Sequence, residues 1–115
     1  MQTLVTILVV TSFATLGYIF VAFDRLVRWQ YEHHRKDWER DGRPDGFAWR
    51  ANECSMVASD FSKKRLSFVW TFRTPGWATS DTRASSLLWQ FRAGVLAWFV
   101  LAPITFYVFK KWMAA

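Results

Sequence analysis

Four acids within thirteen residues are the most chemically suggestive feature of the chain. The stretch DWERDGRPDGFAW, residues 37 to 49, places acids at positions 1, 3, 5 and 9 and a glycine at position 6 of a calcium loop counted from Asp37. Position 12, which should be a bidentate Glu, is Ala48, and Pro44 stands at position 8. Neither a nucleophile at a fixed offset nor pocket-forming bulk accompanies the acids. We therefore expect neither a calcium site nor paired-carboxylate catalysis.

A helix end followed by a turn explains the same residues. Gly42 supplies a left-handed residue after a helix, and Pro44 prevents the helix from resuming. The RPDG tetrapeptide predicts the turn itself. Phe47 and Trp49 then return as apolar anchors. We interpret residues 41 to 49 as an elbow that sends these two aromatic side chains back towards the membrane or a partner.

Two histidines and one cysteine are the remaining candidates for chemistry. His33 and His34 are adjacent, and adjacent residues on a helix point about 100° apart, so they are not expected to form a chelating pair. Cys54 is the single cysteine of the chain, which excludes an intrachain disulfide and favours an inert thiol. The sequence thus predicts no catalytic residue, no metal site and no cofactor.

Two uncharged segments predict membrane-spanning helices. Residues 4 to 23 and 93 to 109 are runs of 20 and 17 residues without a charge, and about 20 apolar residues cross a hydrocarbon core about 30 Å thick. The first run lacks a basic n-region and a cleavage site, which favours a retained helix over a signal peptide. We predict an all-α membrane protein, one two-span domain over residues 1 to 115. Its transmembrane helices are expected at about 4–23 and 88–109, with a loop at 24–87.

The two uncharged segments also limit the function. They contain no ionisable side chain, so we expect no proton relay, ion path or metal-held pigment in this chain alone. Small and hydroxyl residues, which let helices approach closely in lipid, predict packing of the spans on each other or on another subunit. These candidate packing residues are Thr11, Thr15, Ala22, Ala93, Gly94 and Ala97. Pro103 is expected to bend the second span.

The first half of the loop reads as a continuation of the first helix into water. Residues 24 to 40 contain no Gly or Pro and carry opposite charges four residues apart, such as Arg28 and Glu32. One apolar face needs a partner, which is the rest of the loop, the membrane surface or another subunit. This face consists of Val27, Tyr31, His34 and Trp38.

The second half of the loop is basic and aromatic. Residues 54 to 92 hold six basic and two acidic side chains, whereas residues 24 to 53 hold seven of each. A basic segment tethered between two spans predicts contact with anionic phospholipids, and we assign it to Lys63, Lys64, Arg65 and Arg73. No nucleic-acid-binding motif is present. We expect neither nucleic acid nor a small-molecule substrate as a partner.

Large apolar residues alternate with other residues in RLSFVWTFR. This alternation favours a short strand, and an interfacial helix is the competing interpretation.

Basic residues near the span ends predict that the loop lies in the cytoplasm and both termini outside, with Lys110 and Lys111 as the opposing signal.

The stretches DGRPDGFAW and KKRLSFVWTFRTP give residues 24 to 73 a resemblance to the universal stress protein B family of small bacterial two-span membrane proteins. That resemblance implies a location in the bacterial inner membrane and a two-span architecture, but no reaction.

The aromatic content indicates what kind of function to expect. Eight Trp and eleven Phe exceed what a two-helix hairpin can bury. We therefore expect a non-catalytic accessory or scaffold subunit of a larger bacterial inner-membrane complex, of respiratory or photosynthetic type. Its partners would be other membrane-protein subunits, contacted through Trp- and Phe-rich surfaces. The alternative is a free-standing stress-related membrane protein whose basic loop binds anionic lipid, and an enzyme with an interfacial site is the third hypothesis.

Overall fold

Every regular secondary-structure element that the structure describes is an α-helix. The computed structural model describes residues 1 to 50 and 56 to 114, with side chains described from residue 61 onward in the second range. These residues form no strand. The helices are α1 (Gln2–His33), α2 (Arg35–Arg40), α3 (Met56–Phe72), α4 (Gly76–Thr79) and α5 (Thr82–Ala114). The all-helical prediction is confirmed, and Cys54 lies outside the described residues.

Two long helices, α1 and α5, dominate the molecule. Each is long and apolar enough to cross a membrane. They are antiparallel, because Ser12 near the start of α1 contacts Thr105 near the end of α5, while Phe23 contacts Phe91. At about 1.5 Å per residue, the 32 residues of α1 extend about 48 Å. That exceeds a hydrocarbon core of about 30 Å. Both helices continue past their uncharged segments at the end where residues 34 to 81 connect them, and we call this end of the helix pair the loop end.

The buried core lies at this loop end. Before Ile19, the one buried residue of α1 is Val5, and α5 has no buried residue after Gly94. Both helices, α2, α3 and α4 contribute to a single cluster of buried apolar side chains. The cluster comprises Ile19, Ala22, Phe23, Leu26, Val27, Trp38, Leu66, Trp70, Trp77, Ala78, Ala84, Leu87, Leu88 and Phe91.

The first helix continues past its uncharged segment as predicted, but it breaks at His34. The backbone of His34 leaves the helical region (φ −135°, ψ 54°) and α2 begins at the next residue. The chain stays closely coupled across the break, because the His34 N–H donates to Gln30 O at 2.7 Å and its carbonyl accepts from the N–H of Trp38 at 3.0 Å. The predicted apolar face finds its partner within the chain: Val27 and Trp38 are both buried in the core.

The elbow follows α2. Gly42 has a φ of +95°, as the predicted left-handed residue requires. The turn itself lies at Asp41 and Gly42 rather than at the RPDG tetrapeptide. The Trp38 side chain accounts for this shift, since its indole N–H donates to the carbonyl of Pro44 at 2.8 Å and draws that residue into the core. Arg43 also has a positive φ, of 53°.

The strand interpretation of RLSFVWTFR is wrong, because residues 65 to 72 belong to α3 and Arg73 follows its end. Leu66 and Trp70 are buried, whereas Phe68 and Phe72 are exposed. Each pair is four residues apart, so each lies on one face of a helix. Large apolar side chains on opposite faces of a helix alternate along the sequence in the same way as a strand does, and this produced the misleading pattern.

Candidate interaction surfaces

The elbow is fixed to α1 by a single carboxylate. Asp24 is the first charged residue after the uncharged segment, and its side chain accepts hydrogen bonds from the backbone N–H groups of Phe47, Ala48 (2.8 Å) and Trp49 (3.2 Å). A Cβ atom at Gly46 would lie 2.3 Å from Asp24 Oδ1, so this approach requires glycine. The sequence does not reveal the partners of Asp24, because the donors to its carboxylate are backbone N–H groups, which every residue except proline has.

The aromatic residue of the elbow lies where the charged residues of α1 begin. The Phe47 ring stacks on Phe20 with a centroid separation of 4.3 Å and lies 5.4 Å from Phe23. Trp49 instead lies against Tyr31, with ring centroids 5.2 Å apart. The two aromatic anchors of the elbow therefore return to different levels of the same helix.

Helix α3 packs at the loop end, against the elbow and both long helices. Lys63 Nζ is 5.1 Å from the centroid of the Phe47 ring, and the Trp70 ring is 5.6 Å from Phe23 of α1. From α5, the Arg92 Nε donates to the Trp70 carbonyl at 2.9 Å. These contacts join α3 to the part of each long helix where the charged residues begin.

The outward face of α3 is aromatic and basic. Phe61, Phe68 and Phe72 are 71%, 69% and 74% exposed, and their spacing of seven and four residues places them on one helical face. Lys64 and Arg65 are exposed on either side of that face. A helix with aromatic residues outward and basic residues beside them is typical of helices that lie in a membrane interface.

The four predicted lipid-contact residues do not form one surface. The Lys63 side chain is only 14% exposed, and its Nζ lies 3.8 Å from Asp45 Oδ1. Lys64, Arg65 and Arg73 are exposed, and the last two line the same pocket. Contact with anionic headgroups stays a prediction for all four.

The acids of the opening stretch point to different partners. Asp37 pairs with Arg40, and the Asp41 carboxylate accepts from Gln30 Nε2 at 2.8 Å. Asp45 faces Lys63. Within residues 1 to 50 and the side chains described after them, no three His, Cys, Asp or Glu residues are grouped closely enough to hold a metal ion.

A second carboxylate joins the end of α1 to the start of α5. Asp81 Oδ2 accepts from His34 Nε2 at 2.6 Å and from Trp29 Nε1 at 2.8 Å. Its Oδ1 caps α5 by accepting from the N–H groups of Arg83 and Ala84, both at 3.1 Å. These hydrogen bonds hold the pKa of the Asp81 carboxyl well below its usual range, and the bond from His34 has the largest effect on this pKa. An acid directly before a helix is an N-cap signal that could have identified this residue.

The two histidines are separated as the helix geometry predicts. His34 faces Asp81, whereas the His33 ring stacks on Trp29 at a centroid separation of 3.8 Å. Both are therefore structural residues of the α1 end in this arrangement.

The predicted packing residues lie on both sides of the contact between the long helices. Gly94 is the point of closest approach, since a Cβ atom there would lie 2.9 Å from Ile19 Cγ1 and from Tyr18 Cδ1. Ala22 is buried at the loop end of the contact. Beside Gly94, an open groove of about 370 Å³ runs between the helices. Its lining comprises Thr11, Ala14, Thr15, Tyr18, Ala93, Gly94 and Ala97.

The two threonine hydroxyls of this groove are already satisfied. Thr11 Oγ1 donates to the Ile7 carbonyl at 2.6 Å, and Thr15 Oγ1 donates to the Thr11 carbonyl at 2.8 Å. Both bonds are made within α1, so neither threonine is a free donor in the groove. The Tyr18 side chain lines the same groove.

Comparisons with protein-family models, curated proteins and solved structures found no match to the chain. The resemblance to the universal stress protein B family stays a prediction.

Proposed function

We propose that the chain is a non-catalytic scaffold subunit of the bacterial inner membrane whose two spans pack against a helix of another membrane protein. The groove between α1 and α5 carries this proposal. Five of the six residues that the sequence predicts for helix packing line it: Thr11, Thr15, Ala93, Gly94 and Ala97.

The chemistry of the groove favours a helix as its occupant. Association of helices in lipid relies on close van der Waals packing, which small residues allow because the backbones can approach. The groove offers the small side chains of Thr11, Ala14 and Thr15 along α1, which with Tyr18 extend over about two helical turns. Its two threonine hydroxyls are bonded to carbonyls of their own helix, so neither is available to a polar ligand.

The loop end supports a scaffold role because it fixes the geometry of the two spans. The core cluster, the Asp81 hydrogen bonds and the Arg92 bond to the Trp70 carbonyl all act at that end. The spans beyond it make few buried contacts with each other.

Groove-filling variants test this proposal. Ala97→Phe would fill the groove, and Val100→Phe is a matched control because Val100 is exposed on the same helix but does not line the groove. After mild detergent extraction, we expect native mass spectrometry to detect the wild type and Val100→Phe as part of a larger assembly. Ala97→Phe should be released from it. A wild-type chain that migrates as a monomer or homodimer would overturn the proposal.

The exposed aromatic face of α3 favours a second candidate, a free-standing protein whose loop binds anionic lipid. Phe61, Phe68 and Phe72 would enter the interface, and the flanking Lys64 and Arg65 would meet headgroups. Hydrogen exchange of α3 in nanodiscs tests this candidate. We expect slower exchange with phosphatidylglycerol than with phosphatidylcholine in the wild type, and no difference in Phe68→Ser. Equal exchange of the wild type in both lipids would exclude it.

A further inference from the structure

A pocket of about 230 Å³ opens at the loop end between α2, α3 and α4. Its charged lining consists of three arginines, Arg40, Arg65 and Arg73, and one aspartate, Asp41. Trp70 and Trp77 contribute aromatic walls. We infer that this pocket binds an anion of the phosphate class. This site is independent of the groove between the spans, because no residue lines both.

The charges around the pocket are unbalanced in favour of an anion. The single carboxylate, Asp41, already accepts a hydrogen bond from Gln30. Arg65 Nη2 donates to the Asp41 backbone carbonyl at 3.3 Å, and Arg40 pairs with Asp37. These contacts hold two guanidinium groups at the rim.

The third guanidinium is unengaged. In the parts of the chain that the structure describes, the Arg73 side chain has no hydrogen-bond or ion-pair partner. Guanidinium groups bind phosphate oxygens in a bidentate manner and form the stronger class of hydrogen bond when they do. Arg73 can therefore bind a phosphate group directly, and Arg65 and Arg40 add positive charge beside it.

The aromatic wall limits the shape of the pocket rather than supplying a donor. Trp77 is 7% exposed, and among the described residues its Nε1 is buried without a hydrogen-bond partner. Because this atom has almost no accessible area, an anion in the open pocket meets the indole ring and not the indole N–H. The hydrogen-bond donors to the anion are therefore guanidinium groups.

The position of the pocket admits two sources of phosphate. Trp70 lies beside Phe23, where the charges of α1 begin, and Trp77 lies 5.0 Å from His34 near the end of that helix. If α1 and α5 cross a bilayer, the pocket spans the headgroup layer and its outer edge. Both a lipid headgroup and a free phosphate ion have the chemistry that the arginines recognise.

Two binding measurements on the full chain test the site and identify the source. Inorganic phosphate is titrated into the protein in neutral detergent by calorimetry, and retained phosphatidylglycerol is counted by native mass spectrometry. We expect saturable binding of one of the two, weakened about tenfold in Arg73→Gln and in Arg40→Gln. Arg73→Lys keeps the charge without the fork and should lose less. Circular dichroism checks that each variant is folded.

Arg83→Gln is the matched control, since Arg83 is exposed at the start of α5 outside the pocket. Its affinity should change less than twofold. Saturation by phosphate alone assigns a free ion, and saturation by phosphatidylglycerol alone assigns a headgroup. Equal losses in Arg83→Gln and Arg73→Gln would overturn the site in favour of diffuse attraction, and so would the absence of saturable binding of either probe.

Discussion

The two ends of the long helix pair treat apolar side chains in opposite ways. At the loop end, Phe23, Leu26 and Leu88 are completely buried. Along the uncharged segments, residues of the same type such as Phe13 and Phe106 are about 70% exposed. Amino-acid type alone therefore does not decide burial here.

This difference is the one expected if the uncharged segments cross a membrane and the loop end lies in water. In water, burial of apolar surface drives packing, at roughly 25 cal/mol per Å². In a hydrocarbon layer this drive is absent, so spans pack through small residues and close van der Waals contact. The loop end has a folded core, whereas the spans meet closely at Gly94 and leave their large side chains outward. Four measurements test this contrast.

The largest effect is expected from removing a core aromatic at the loop end. Trp70 is 1% exposed, and Trp89 is 62% exposed on α5. Trp70→Ala should lower the free energy of unfolding by about 3–5 kcal/mol, because it leaves a cavity in the core. Trp89→Ala should lower it by less than about 1 kcal/mol. Chemical unfolding in mild detergent measures both, and similar losses would contradict a core confined to the loop end.

A change at the contact between the spans should have the next largest effect. Gly94→Leu forces side-chain atoms against Ile19 and Tyr18 and should destabilise the protein by about 1–3 kcal/mol. Gly17→Leu is the control, since a Cβ atom there meets no atom within 4 Å. The same unfolding assay compares them. An unchanged Gly94→Leu variant would show that the spans do not approach closely.

Acid should weaken the loop end through Asp81. Its pKa is lowered in the folded state, so its contribution is present above its ordinary value of 3.8 and is lost as the pH falls below that value. We expect the stability difference between the wild type and Asp81→Asn, about 1–2 kcal/mol at pH 7, to shrink between pH 5 and pH 3. Unfolding measured across that range checks it, and a constant difference would contradict the assignment.

The smallest effect is expected at the water-exposed surface of α1. Arg28 Nε lies 2.9 Å from Glu32 Oε1, and both side chains are well exposed. Glu32→Gln should lower the free energy of unfolding by only about 0.3–0.5 kcal/mol. Added salt should reduce this difference further. A loss above about 1 kcal/mol would show that exposed charges contribute substantially to stability, against the view that the buried core supplies most of it.

Sequence reasoning predicted the features that depend on local chemistry. The uncharged segments predict the two long helices, and Gly42 predicts the left-handed end of α2. The extension of the first helix is confirmed up to the break at His34. Each of these rests on the residues of one segment, without reference to distant ones.

The features that depend on distant partners could not be predicted. Nothing near Trp29 or His34 indicates that Asp81, about 50 residues away, accepts from both. The orientation of α3 depends on which of its two apolar faces meets the core. Its sequence supports either choice, since Leu66 and Trp70 compete with Phe68 and Phe72. The pocket arginines come from α2, α3 and the residue after α3, so only the tertiary fold brings them together.

The Asp24 anchor of the elbow also bears on the order of assembly. The hydrogen bond from Phe47 to Asp24 joins residues 23 apart, whereas the contact from Ser12 to Thr105 joins residues 93 apart. Closing a loop four times longer costs about 1.2 kcal/mol more in chain entropy. During synthesis, residue 49 also emerges long before residue 105. The first helix and its elbow can therefore form a local unit while the ribosome is still adding the second span.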